Sequence, residues 1–436
     1  MVTVPVKIYS AKDSSRLRYI AGIILGDILG LHWDFTTDKR KLGKHPVINY
    51  STENLPGSFK ISPESILFEK GIAKKEIIIN TWKGLPVFFQ TTDDSDLPFD
   101  VFAASFYLAT RYEEYLEFEP DKHGRFPASA SVAYKNGFLG KPIIDLWAKE
   151  LAKSFLQRFS TSVFRRNEYN ALLTIDTDQA FAYQGRNIFS SIGELFRDKN
   201  RVQTDRSDKY HKIAKGEKDP FDVFDYIIEN IEKSGTDTRF FFPVGDHSKF
   251  DKNPSWKNEE YRNLIHKVAL KFQTGLHPSF SAGGDGILVN TETDRLTRIL
   301  GKKVSISRFH YLILNMPGSY NNILKAGISE DYSMGYPDEP GFRAGLARPY
   351  FFYNVSEDKQ TNLKIIPFQI MDATLIDYKK LDDGGSKEVI LNMITETRKV
   401  GGLFVSIWHN TSLLDNDEWK GWRDVFEFMI KSQKPS

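Results

Sequence analysis

The chain has 436 residues, 40% hydrophobic and 27% charged, with 59 Lys and Arg against 57 Asp and Glu and a formal net charge of +2. That is a globular composition with room for two domains, and its interleaved charges lack the one-signed basic surface that nucleic acid demands. Cysteine is absent, which excludes disulfides, thiolate catalysis and cysteine-ligated zinc or iron–sulfur centres.

The opening MVTVPVKIYSAKDSS has neither the basic start nor the apolar core of a secretory leader. The early apolar run from Tyr19 to Leu25 is too short to span a bilayer. No membrane span and a cytoplasmic setting are therefore expected. Aromatic residues make up 14% of the chain, enough for large cores or for a groove that takes carbohydrate.

Leu17, Ile20, Ala21, Ile24 and Ile28 recur at helical spacing after two serines, which predicts a helix over 15–29. Strand-like pieces follow at 47–50, 77–80 and 87–90. Asp96 and Pro98 then read as the start of a helix that runs to Leu116. His123 sits among turn residues in DKHGRF, a surface loop. The first 165 residues thus read as a smaller α+β domain without a catalytic constellation.

From residue 166 the pattern changes. NALLTID, TRFFFPVG, KFQTGLHP, VSISRFHYL, LKIIPFQI and GLFVSIWH read as buried strands. Helical segments lie between them, such as PFDVFDYIIENIEKSG with Phe224, Ile227, Ile228 and Ile231 on one face, and SKEVILNMITETRKVGG closed by Gly401. Strands alternating with helices imply parallel βα units, and six or more imply a (β/α) barrel over 166–436. The stretch 199–219 is the most polar and reads as an exposed excursion.

Chemistry in such a fold gathers where strands end. Asp176 and Asp178 close the first strand two residues apart, so both carboxylates face one side of an extended chain. Taken alone they read equally well as turn or cap residues. His277 ends a later strand and precedes Pro278; His310, Arg343, Asp372 and His409 follow at or near other strand ends. Together these types fit metal-assisted hydrolysis. Zinc takes three histidine or carboxylate ligands and leaves a position for water, a carboxylate accepts a proton, and a histidine returns one. No phosphate loop, dinucleotide fingerprint, HExxH or GxSxG motif competes.

Residues 168 to the C-terminus resemble the NodB-type polysaccharide deacetylases, metal-dependent enzymes on a distorted βα barrel. TIDTD is similar to the family's first motif, which implies Asp176 as base and Asp178 as metal ligand. GLHPSFS is similar to the second, which implies His277 as a ligand and puts Ser281 where a second histidine belongs. GFRAG implies Arg343 as the support of the base, FQIMD implies Asp372 beside the acid, and IWH implies His409 as general acid. The residues before 165 resemble uncharacterised extensions found ahead of some bacterial deacetylase domains.

The missing histidine leaves three readings open: His310 replaces it from the next strand, a water completes the shell, or the metal is lost. The resemblance implies a divalent ion such as zinc and a carbohydrate substrate bearing an acetyl group. Loss of the metal would leave a carbohydrate-binding protein, with Trp408 and other aromatics stacking on sugar.

Overall fold

The computed structural model describes residues 5–159, 167–183, 218–414 and 419–434; the excursion expected at 199–219 and the boundary expected near 160–168 lie largely outside them. Fifteen described strands follow in chain order. They are β1 (Val6–Tyr9), β2 (Trp33–Thr36), β3 (Val47–Asn49), β4 (Phe59–Lys60), β5 (Asn80–Trp82), β6 (Leu85–Val87), β7 (Asn170–Asp176) and β8 (Thr238–Phe242). After them come β9 (Gln273–Leu276), β10 (Ile306–Ser307), β11 (Glu330–Asp331), β12 (Tyr350–Asn354), β13 (Lys359–Ile365), β14 (Ile370–Met371) and β15 (Leu403–His409).

The chain divides into two compact units. One comprises Met1–Asn170, Met334–Gln369 and Asn392–Phe404; the other comprises Ala171–Ser333, Ile370–Leu391 and Val405–Ser436. Neither is continuous in sequence.

In the first unit, β1 to β4 make a parallel sheet in the order β2-β1-β3-β4, and β5 with β6 forms a hairpin. The helix expected over 15–29 is an α-helix at Ser15–Ala21, capped by the Ser14 side chain, that continues as a π-helical run over Gly22–Ile28. The second helix starts later than Asp96: Asp100 caps Val101–Ala109 by accepting from the backbone N–H groups of Phe102 and Ala103. Asp96 instead accepts from the Lys60 amide and from Arg158. LKI in LKIIPFQI belongs to β13, which pairs antiparallel with β12 and so is no βα strand.

In the second unit the strands run β11-β10-β9-β8-β7-β15-β14. The pairs β7/β8, β8/β9, β9/β10, β10/β11 and β14/β15 are parallel, as alternating strands and helices require. The order is an open line, and no pairing among the described residues joins its two ends into a closed barrel. Phe224–Ser234 forms the expected helix, burying Phe224, Ile227, Ile228 and Ile231 and ending at Gly235 with φ 67°. Gly275 in β9 lets three strands approach closely, because a Cβ there would lie 2.6 Å from Ile306 and 2.7 Å from Phe241.

Candidate metal centre

Side chains alternate along a strand, so Thr174, Asp176 and Asp178 leave one side of β7 and its extension in successive layers. Arg308 and His310 stand in the same phase on the chain leaving β10. The two series meet layer by layer. Arg308 donates to Thr174 Oγ1 at 2.7 Å and Asp176 Oδ1 at 2.8 Å, and its Nε donates to the Tyr332 carbonyl at 3.0 Å. One layer further out, His310 Nε2 lies 3.3 Å from Asp178 Oδ2. His277, which follows β9, brings its Nε2 to 3.0 Å from Asp178 Oδ1 and 3.9 Å from Asp176 Oδ2.

The proton inventory of this cluster leaves a place that a proton or a metal ion can fill. His277 Nδ1 faces the Arg308 carbonyl, which accepts only, so that nitrogen carries the proton. A neutral His277 ring therefore turns a bare Nε2 toward Asp178. His310 repeats the arrangement: its Nδ1 lies 2.8 Å from Asp251 Oδ1, so Nε2 faces the other Asp178 oxygen and is bare there whenever the ring is neutral. Facing lone pairs at these distances require a proton or a metal between them. The ligand atoms of Asp178, His277 and His310 all lie within 4.8 Å of one another. A tetrahedral ion bound at ~2.0–2.1 Å sets its ligand atoms about 3.3 Å apart. The donor set fits a divalent ion such as zinc.

Each histidine is held from behind, the arrangement that fixes tautomer and ring direction in metal sites. Asp251, 1% exposed, accepts from His310, from the Phe280 N–H at 2.9 Å and from Ser248 Oγ at 2.7 Å. Asp372, which follows β14, meets His409 Nδ1 at 2.7 Å and accepts the His409 N–H at 2.7 Å; Ser412 Oγ donates to the same carboxylate. The other His409 nitrogen lies 3.7 Å from Asp178 Oδ2.

Electrostatics follow from this packing. Burial disfavours the charged ring of His310, but Asp178 and Asp251 outweigh it and hold the group at about 9. Burial likewise opposes charge on His409, and Asp372 and Asp178 raise it to about 10. Burial pushes the Asp178 carboxyl up, yet His310, His409 and His277 hold it well below the usual range.

Two expected residues lie elsewhere. Arg343 does not serve as the partner of Asp176; its Nε and Nη2 donate to Glu114 at 2.9 and 2.7 Å and its Nη1 to the Gly335 carbonyl, all within the first unit. Arg308 makes the ion pair with Asp176 instead. Trp408 is 1% exposed and packs on Trp422 and Phe426, so it has no face for a sugar. It neighbours His409, and strand alternation sends the two side chains to opposite sides of the sheet. Ser281 is exposed in the turn Ser281–Gly283, and the third candidate ligand atom beside Asp178 and His277 is that of His310.

The sequence reading missed Arg308 and Asp251. Arg308 had a signal, since it stands two residues before His310 in VSISRFHYL. Asp251 had none, in the aperiodic loop SKFDKNP.

Comparison with known proteins adds the following. Residues 6–160 match the model of a family of unknown function, DUF7033. No curated protein matches the chain. A candidate polysaccharide deacetylase from Mycobacterium smegmatis aligns at 14% identity and TM-score 0.40, over 62% of this chain and 85% of that one. The polysaccharide deacetylase of Bacillus cereus aligns at 14% and 0.29, over 61% and 87%. A CE4-family pseudoenzyme from Bacillus anthracis aligns at 9% and 0.31, over 62% and 64%. At such scores these similarities add no weight to the geometry of the site. Among the described residues no helix is long and apolar enough to cross a membrane.

Proposed function

We propose that this chain is a metal-dependent hydrolase that removes acetyl groups from an N-acetylated sugar or polysaccharide. The observation that carries the reading is the convergence of two proton-committed histidines on Asp178, with a paired carboxylate and a cationic histidine beside them. Asp178, His277 and His310 would hold the ion. When bound, a divalent ion supplies Lewis acidity, polarising the acyl carbonyl and acidifying water.

The remaining steps belong to the chain. Arg308 holds Asp176 Oδ1, which leaves Oδ2 to take a proton from the attacking water. His409 is protonated at neutral pH and is fixed by Asp372, so its outward nitrogen donates to the departing amine. Water's oxygen joins the acyl carbon, the C–N bond breaks, and acetate and an amino sugar leave. The rival reading, a metal-free sugar-binding protein, loses one of its stacking candidates with Trp408 buried.

The test is metal content by elemental mass spectrometry, with acetate release from N-acetylated oligosaccharides. About one zinc per chain is expected, lost in both His277→Ala and His310→Ala, with turnover abolished in Asp176→Asn. A protein that takes up no metal from excess zinc, or acetate release unchanged by Asp176→Asn, would refute the assignment.

A further inference from the structure

β7 ends at Asp176, and Asp178 stands two residues beyond it, outside the regular strand. On one side of Asp178, Thr177 is tied to the Phe241 carbonyl by its N–H at 3.1 Å and by its Oγ1 at 2.8 Å. On the other side, the Gln179 carbonyl accepts from Asn410 Nδ2 at 2.9 Å. The candidate ligand is thus held between two tethers, and the second comes from the residue that follows His409.

Asn410 is fully buried, and the same Nδ2 donates to the Phe221 carbonyl at 3.3 Å. Both neighbours are carbonyl oxygens, which accept only, so the amide nitrogen has to face them and the side chain has one orientation. Phe221 is held from its other side as well, since its N–H donates to Asp219 Oδ1 at 2.9 Å. Asp219, 3% exposed, also accepts the N–H groups of Ala182 at 2.8 Å and Tyr183 at 2.9 Å. Asn410, Phe221 and Asp219 therefore fasten the chain that leaves Asp178 at positions 179, 182 and 183. Removing such a side chain strands the backbone groups it satisfies, away from water.

We infer that Asn410 is a positioning residue that sets the segment carrying Asp178 against His409, with Asp219 anchoring the far end of that segment. The inference rests on the metal-dependent reading of the site. Asp372 fixes His409 through its ring and its N–H. Asn410 is joined to His409 by one peptide bond, so whatever Asn410 holds stays in register with that ring. What it holds is Gln179, one peptide bond from Asp178. The 3.7 Å between His409 Nε2 and Asp178 Oδ2 is therefore set by a closed path, from Asp178 through Gln179 and Asn410 to His409. Asn410 acts through the backbone of these neighbours rather than on reacting atoms.

The experiment measures the zinc affinity of the full chain by competition with a chromophoric chelator. It adds the visible spectrum after cobalt(II) substitution, which reports ligand geometry. Asn410→Leu keeps side-chain bulk and removes both donated bonds. Zinc binding should weaken roughly ten-fold, as for other changes behind a metal ligand, and the cobalt bands should shift. Arg343→Met, whose lost bonds lie in the first unit, is the destabilised comparison and should keep the parent affinity and spectrum. Urea unfolding is recorded for each variant, because a purely structural Asn410 would lower stability and leave both metal readouts at the parent values. That result overturns the inference. If Asn410→Leu does not fold, Asn410→Ser, which retains a single donor, is judged by the same criterion. A parent chain that takes up neither zinc nor cobalt refutes the hydrolase and the positioning role together. A parent that binds zinc no more tightly than Asn410→Leu loses the positioning role alone.

Discussion

Replacing Arg308 tests the centre at its most buried point. The guanidinium is fully enclosed and donates to Thr174, Asp176 and the Tyr332 carbonyl. Asp176 is 2% exposed, so Arg308→Met leaves a buried carboxylate without the ion pair at its Oδ1. Removing one member of a buried pair costs about 3–5 kcal/mol, whereas replacing both by apolar or neutral groups of similar volume is far milder. Urea unfolding should therefore show Arg308→Met less stable by about 4 kcal/mol. The double variant Asp176→Asn/Arg308→Met should recover much of that loss, a coupling of at least ~2 kcal/mol in the mutant cycle. The cycle is informative because the two groups meet directly at 2.8 Å. Additive effects, or a single-variant loss below ~1 kcal/mol, would show that Asp176 does not depend on Arg308.

Three further outcomes are expected. Burial raises the Glu292 carboxyl from 4.5 to about 7, while its bonds to Ser279 pull the other way. The folded state thus keeps a proton that the unfolded chain has lost, so Glu292 lowers stability as pH rises from 4.5 to about 7, by about 3 kcal/mol in total. Glu292→Gln should match the parent at pH 4.5 and exceed it above pH 7 in thermal or urea unfolding; parallel curves would refute this. Arg343→Met should remove two of the bonds to Glu114, which keeps its ion pair with Arg111, and cost about 1.5–3 kcal/mol of stability while zinc content is unchanged; zinc loss would return Arg343 to the site. Trp408→Ala should destabilise by about 3–5 kcal/mol as a core cavity, while Trp408→Phe leaves saccharide affinity at the parent value; a large affinity loss in the Phe variant would place Trp408 at the sugar.

Much of this molecule was legible one segment at a time. The spacing of Phe224, Ile227, Ile228 and Ile231 marked a helix face, and those four side chains are buried together. Alternation along TIDTD put Asp176 and Asp178 on one side of a strand, because the period of two is a property of extended backbone itself. The same rule separates Trp408 from His409, although their adjacency in sequence invited reading them as one site. Local turn chemistry was less decisive: Asp96 and Asp100 both offer a cap, and packing around Tyr50 and Phe102 selects Asp100.

What a strand-by-strand reading lacked was pairing between segments far apart in the chain. Arg308 follows β10 and Arg343 lies in the loop between β11 and β12, and sequence offers no distance from either to Asp176. The choice is made by Glu114, which takes Arg343 from 229 positions away, and by the sheet order, which carries Arg308 to the layer of Asp176. The position of Ser281 raises the same point, with His310 as the candidate ligand. A motif counts four residues along one loop, but a metal responds only to where lone pairs meet. His310 reaches that point from a different strand because β9 and β10 are paired and Asp251 turns its ring. Sequence alone determined the residue types and the face each would take; tertiary structure decided which of them share a point in space, since only chain crossing brings charges within bonding distance.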